Sequence, residues 1–298
     1  MQRNLTARKA LYNRPMNQVA AQTNAHDAHA CRVAQVVEQV EGVEQVILFG
    51  SRARGDFRPE SDLDLVVVYE TTKTRSDVFL PCVQAARDAT VDEYGHSVSV
   101  DITPLAADHF DFMQHGINHV AAHAAREGIT PMGEFYRPPS EPGEPNLPEH
   151  RRRESMERAW HARSHLTTLM NVYRLGVDSY EDSLEWDKAI GEQAQRALEH
   201  ALKAVIAAHG RRYPHEHKFE DLLGPARTCV AGLTLQSNLE VLSAFGGGTA
   251  YETPELDLDV DQLLENVRYD VTHLFAICAG KADFDPWKVT RPAFKRGE

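Results

Sequence analysis

Between residues 27 and 41 the apolar positions Ala30, Val33, Val36, Val37 and Val40 recur with a helical period that ends near Gly42. The pattern then shortens. Val46 to Phe49 is an apolar strand, a basic and polar connection follows, and a second strand opens at Asp62 and continues as Leu65-Val66-Val67-Val68. Residues 76–94 read as a helix with Pro81 near its first turn, and Val98 to Ile102 alternates as a third strand. Two helical stretches, 104–115 and 118–126, close this half at Glu127-Gly128-Ile129. The order predicts a small mixed sheet backed by helices.

Residues 136–148 hold five prolines and a glycine, which suits neither helix nor strand and reads as a semi-rigid linker. Beyond it every period is helical. Long helices are expected over 149–174 and from about Ala194 to Ala208, stopped by Gly210. A short turn at Phe219–Leu223 precedes Gly224-Pro225, and 235–245 and 260–279 supply the last two helices, separated by Gly246-Gly247-Gly248 and Pro254. Modest loops between helices predict an antiparallel bundle. The chain is thus divided into an arm (1–26), an α+β domain (27–135), the linker (136–148), a helical domain (149–285) and a tail (286–298).

Chemistry concentrates in residues 47–68. Asp62 and Asp64 stand at i and i+2, so a strand presents their carboxylates on one face. Two bare carboxylates that close repel each other unless a hard cation such as Mg²⁺ lies between them. Gly50 lets a backbone approach a phosphate, and Ser51 offers it a hydroxyl and an N–H. Such a layout suits phosphoryl or nucleotidyl transfer. Arg52, Arg54 and Arg58 lie beside it as cations for a triphosphate.

Gly50-Ser51-x-Ala53-Arg54-Gly55, followed by Ser61-Asp62-x-Asp64, resembles the signature of the minimal nucleotidyltransferases of the DNA polymerase β superfamily. The resemblance implies a third carboxylate on a later strand, for which the chain offers Asp101. It implies that Asp62, Asp64 and Asp101 hold Mg²⁺, in a two-metal site, as the catalytic acids. Gly50 and Ser51, with Arg54 and Ser61, would hold the nucleotide, ATP most simply. The second half is similar to the HEPN helical domains, through Glu192-Gln193-Ala194, Ala197-Leu198-Glu199-x-Ala201-Leu202-Lys203-Ala204, Tyr213-Pro214, His217 and Leu222-Leu223. It departs from that pattern where Ala250-Tyr251-Glu252-Thr253-Pro254 replaces an expected Arg-Tyr-Pro.

The reading is therefore a nucleotidyltransferase that moves a nucleoside monophosphate, AMP in the simplest case, onto a hydroxyl acceptor. A small molecule, a protein tyrosine or an RNA end all remain open as that acceptor. By resemblance to antibiotic nucleotidyltransferases, the helical half is expected to form part of the acceptor pocket, in a cleft between the halves. Two alternatives stay open. Arg268-x4-His273 matches the ribonuclease motif of some HEPN domains, although side chains five residues apart differ by about 140° round a helix. A nucleotide-sensing scaffold without turnover is the other.

Composition narrows the picture. A net charge of −12 disfavours non-specific nucleic-acid binding, which depends on surplus Lys and Arg. No apolar run is long enough to span a membrane and the first residues lack a signal-peptide core, so a cytoplasmic enzyme is expected. The four widely spaced cysteines form no C-x-x-C pair, which fits a reducing compartment. His26-x-x-His29-x-Cys31 and His215-x-His217 have ligand-like spacing but read as surface or capping residues. Apolar faces on the helical half predict a homodimer through it.

Overall fold

The structure is a computed structural model that describes residues 28–58, 61–90, 98–137, 147–214, 218–246 and 258–290. The chain separates into two compact units, one of residues 1–115 with 119–143 and one of 116–118 with 144–298. The expected arm, most of the linker, His26, His215, His217 and the 250–254 segment lie outside the described residues.

In the first unit, helix α1 (Ala28–Glu38) buries Ala30, Val33, Ala34 and Val37. Val36, expected on the same stripe, is exposed. Strand β1 (Val43–Phe49) leads into a short helix α2 (Gly50–Arg54), where the sequence suggested only a polar connection. Strand β2 (Leu63–Tyr69) pairs antiparallel with β1 and parallel with β3 (Val100–Ala106), in the order β1-β2-β3. The parallel pair is joined by helix α3 (Arg75–Ala89), as a parallel connection requires a crossover.

β2 is apolar on both faces, and its alternation divides the core in two. Leu63, Leu65 and Val67 pack with α1 and α3, through Val33, Val37, Val78 and Cys82. Val66 and Val68 pack with Phe110 of α4 (Ala107–Met113) and Ala121 and Ala124 of α5 (Val120–Glu127). Asp64 lies on this second face by the same alternation.

Several expected boundaries move, each for a physical reason. Pro104 was placed at a helix start but belongs to β3, opposite Val67. β3 is an edge strand, so an absent N–H on its outer side breaks no ladder bond. Pro81 sits in the second turn of α3, beyond the first turn expected for it, on the exposed side of the helix. The start of α3 is fixed instead by Thr74, whose N–H donates to Asp77 Oδ2 at 2.9 Å while its hydroxyl accepts from Asp77 N–H. Beyond α5, Ile129 exchanges both backbone hydrogen bonds with Leu48, at 3.0 and 2.8 Å, which holds the end of α5 beside β1. Gly128 makes this approach possible, because a Cβ there would lie 2.4 Å from Ile47 Cγ2.

The second unit contains α6 (Pro148–Leu175), a 3-10 turn (Val177–Ser179), α7 (Ser183–Ala208), α8 (Phe219–Cys229), α9 (Leu239–Ser243) and α10 (Val260–Ala282). α7 begins eleven residues before the apolar run that announced it, capped by the Asp182 carboxylate accepting from Glu185 N–H at 2.8 Å. Its alanine-rich face lets α6 approach closely, and the pair is antiparallel: Ser155 Oγ donates to Ala204 O, while Trp186 Nε1 donates to Val172 O. α8 runs on through Gly224-Pro225, where the sequence suggested a stop, since Phe219, Leu222 and Ala226 are all buried along one stripe. α9 is shorter than the expected 235–245. The N–H groups of Gln236 and Ser237 both donate to the buried Asp270 carboxylate, at 2.8 Å each, and Asn238 then caps the helix. Residues 286–290 of the expected tail are tied down, with Arg163 donating to Trp287 O and Val289 O and the Trp287 ring edge-on to Phe275. Among the described residues no helix is long and apolar enough to cross a membrane.

Candidate active site

Asp64 occupies the centre of the three-stranded sheet, opposite Phe49 on one side and Asp101 on the other. In-register neighbours on adjacent strands point to the same face, so the Asp101 and Asp64 carboxylates stand side by side. Asp62 immediately precedes β2, two residues from Asp64. Asp62 and Asp101 are exposed and Asp64 is half-buried.

Gly50 faces this group directly. Its φ is +74°, and a Cβ on it would lie 2.2 Å from Asp64 Oδ2. No side chain fits there, and no L-residue readily adopts that backbone. The chain turns at once into α2, which ends on Gly55, whose N–H donates to Ser51 O at 2.9 Å.

The Asp64 carboxyl is pushed up to about 6, first by burial and then by the charges of Asp101 and Asp62. Arg54 opposes the shift and Glu127 adds to it. All three acids picked out in the sequence are therefore electrostatic neighbours, and Glu127, at the end of α5, is a fourth that the sequence did not announce. An oxygen-only donor set around a repelled carboxylate fits a hard divalent cation such as Mg²⁺.

The arginines differ in role. Arg52 is buried, donates from Nε to Ser61 O at 2.9 Å and lies 4.9 Å above the Phe57 ring. It fastens α2 to the segment that delivers Asp62. Arg54 is partly exposed and is held by Glu127 at 3.1 Å and Asp56 at 3.3 Å. Arg58 is exposed, and its N–H donates to Ser61 Oγ at 2.9 Å, so the Ser61 hydroxyl shapes this loop and retains its own hydrogen to donate.

In the second unit the polar residues of the Glu199 to Tyr213 pattern form a buried network. Lys203 pairs with Glu199 at 2.6 Å, Gln195 donates to the other carboxylate oxygen at 2.8 Å, and Arg158 donates to the Tyr213 hydroxyl at 2.7 Å. Arg268 and His273 both line one open groove of about 740 Å³, with Met170, Tyr173 and Asp261, despite their angular separation on α10. The rings of Tyr269 and His273 stack there at 6.5 Å. His29 lies 3.1 Å from Thr90 O through Nε2, the place of a tertiary contact between α1 and the end of α3.

A family model described as a nucleotidyltransferase domain matches residues 30–118, and one described as a HEPN domain matches residues 181–272. The chain carries a nucleotidyltransferase domain followed by a HEPN domain. Asp62, Asp64, Asp101 and Gly50 lie in the nucleotidyltransferase domain, Arg268 lies within the matched HEPN residues, and His273 lies one residue beyond them on the same helix. No curated protein matches the chain. Among solved structures, a spectinomycin adenyltransferase from Enterococcus faecialis, solved with ATP and spectinomycin, is 14% identical over 80% of this chain and 98% of that one. Its TM-score is 0.30, an overall likeness too low to bear on fold or substrate.

The raised Asp64 carboxyl generates a prediction for the nucleotidyltransferase domain without bound metal. A carboxyl raised from 3.8 to about 6 on folding holds its proton more tightly in the folded state, so its contribution to stability falls as pH rises between those values. Asp64→Asn removes that penalty. In EDTA the variant is expected to melt above wild type, by a margin that grows from pH 4 to pH 6 and levels off above. Thermal melts across that range check it, and a margin independent of pH would show that burial and the neighbouring acids do not raise this carboxyl on folding.

Proposed function

We propose that the protein is a Mg²⁺-dependent nucleotidyltransferase that moves a nucleoside monophosphate, most simply AMP from ATP, onto a hydroxyl acceptor in the cytoplasm. One observation carries this reading: Asp101 stands in register beside Asp64, Asp62 lies two residues away, and the Asp64 carboxylate packs against the bare backbone of Gly50. Asp62, Asp64 and Asp101 would hold the metal, which when bound neutralises phosphate charge and favours departure of pyrophosphate. Gly50 and Ser51 would hold the nucleotide's phosphates, Ser51 through its N–H and hydroxyl. Ser61 has a hydroxyl hydrogen to add, and Arg54 a guanidinium fork already held at the site by Glu127. Asp101, exposed at the edge strand, takes the proton of the acceptor hydroxyl as its oxygen bonds to the α-phosphorus and the bond to pyrophosphate breaks. Acceptor recognition is assigned to the HEPN domain, and the acceptor is a small hydroxylated molecule, a protein tyrosine or an RNA end.

Incubation of the pure protein with Mg²⁺ and each nucleoside triphosphate in turn tests this, with pyrophosphate release and self-modification by mass spectrometry as readouts. Asp62→Asn, Asp64→Asn or Asp101→Asn is expected to lower turnover by orders of magnitude while circular dichroism stays unchanged. Wild-type turnover in the Asp62→Asn/Asp64→Asn double variant would place the chemistry elsewhere.

A second reading, a HEPN ribonuclease, is favoured by one feature, the shared groove of Arg268 and His273. It predicts metal-independent RNA cleavage that Arg268→Ala and His273→Ala each abolish. Cleavage that persists in both variants, or none from wild type, removes it.

A homodimer through the HEPN domain belongs to the main reading, supported by the exposure of Tyr173, Leu175 and Tyr269 on that domain. Light scattering at micromolar concentration is expected to give twice the chain mass of 33.4 kDa. A clean monomer mass would defeat it.

A further inference from the structure

Three histidines meet between α6 and α7, in the HEPN-bearing unit. His161 and His165 are four residues apart on α6 and share a face, and His200 reaches them from the antiparallel α7. One nitrogen from each ring lies within 4.8 Å of the other two. The His161 and His200 ring centroids are 5.0 Å apart, and those of His165 and His200 are 5.5 Å apart. The ring planes lie at 23° and 2° to each other. A Zn–N bond of about 2.1 Å with tetrahedral angles puts the centroids of two imidazoles on one ion about 5 Å apart, as here, and turning the rings about their Cβ–Cγ bonds brings the three lone pairs onto that ion.

Two hydrogen-bonding features favour ligation. His165 Nδ1 lies 2.9 Å from Gln193 Oε1. A carbonyl oxygen can only accept, so Nδ1 carries the proton and Nε2 keeps the lone pair. That is the outer partner metal-bound histidines commonly have, and it fixes both tautomer and ring orientation. His200 Nδ1, in contrast, is buried with no hydrogen-bond partner among the described residues, an arrangement native structures seldom tolerate without an unseen ligand.

The two neighbouring cations are engaged elsewhere in the fold, and the ligands themselves define what kind of ion fits. Lys203 is paired with Glu199 at 2.6 Å, and Arg158 donates to the Tyr213 hydroxyl at 2.7 Å. No carboxylate belongs to the cluster itself. An ion there is held by neutral imidazoles, which suit zinc and its neighbours and serve Mg²⁺ poorly.

We propose that this unit binds one Zn²⁺ through His161, His165 and His200, with water in the fourth position, and that the ion staples α6 to α7. The site is separate in residues and in chemistry from the acidic nucleotide site, and its existence does not depend on that site being active.

Full-length protein stripped with EDTA and titrated with Co²⁺, as a coloured probe, tests the site. One equivalent is expected to develop the visible absorption of four-coordinate Co²⁺, and Zn²⁺ is expected to displace it and raise the melting temperature. His161→Ala/His165→Ala is expected to weaken Co²⁺ binding by at least about tenfold. Asp62→Asn/Asp64→Asn is expected to leave it unchanged. Absence of a saturable four-coordinate spectrum in wild type at micromolar Co²⁺ overturns the proposal, and this titration decides the matter even if the histidine variant misfolds. A spectrum that survives in a folded histidine variant places the ion elsewhere and overturns it equally.

Discussion

Like charges held close together organise the nucleotidyltransferase domain. Asp64 cannot leave the group, because it is fixed in the central strand between Phe49 and Asp101, and every neighbouring feature is arranged around that fact. Gly50 gives the carboxylate room that any side chain would remove. Arg52 draws the segment before Asp62 onto α2 from a buried position, so it acts as a brace rather than as a phosphate ligand. The Leu48–Ile129 bridge brings Glu127, with Arg54, to the same place. A sheet of apolar residues on both faces supplies the rigidity that holds the acids against their repulsion.

The helical unit treats buried charge in the opposite manner. Glu199 is matched by Lys203 and Gln195, and the Asp270 carboxylate receives N–H groups from Gln236 and Ser237. Each of these ions is matched within the fold, as burial demands. The acids around Asp64 are not matched in that way, with one partly exposed arginine beside them. Unbalanced charge on a half-buried sheet residue is the physical mark of a group waiting for a partner, and the contrast between the two units makes it stand out.

Much of this was legible in the sequence. The strand pair around Gly50-Ser51, the Asp62-x-Asp64 step and the Asp101 strand were visible because period-2 alternation and turn residues fall where the chain needs them. Asp101 came with the family resemblance, and the register opposite Asp64 became visible only in the fold. Glu127 was hidden because it is distant in sequence and arrives through a backbone bridge that no local pattern encodes. Arg52 looked like its exposed neighbours, since burial of a guanidinium depends on a carbonyl from another segment. Pro104 and Gly224-Pro225 misled for the same reason: breaker residues were weighed locally, while an edge strand and a buried helix stripe tolerated them. The His161-x-x-x-His165 pair was present in the text of the chain, yet only the antiparallel packing of α7 gives it a third member.

The mixed pairing of β2 has a consequence for how the domain acquires its site during folding. β1 and β2 are separated by thirteen residues and pair antiparallel, so their contact closes a short loop. β3 reaches β2 only after the α3 crossover has formed and packed, which makes that contact the more distant and the slower. By chain separation alone, the contact of Gly50 with Asp64 is expected to precede the contact of Asp64 with Asp101. The face of β2 that carries Asp64 is covered by α4 and α5, which follow β3 in the chain, so the repulsion is met as that face closes. Divalent cations present during refolding would then speed the final step rather than the first, because they screen a contact that only the late strand completes.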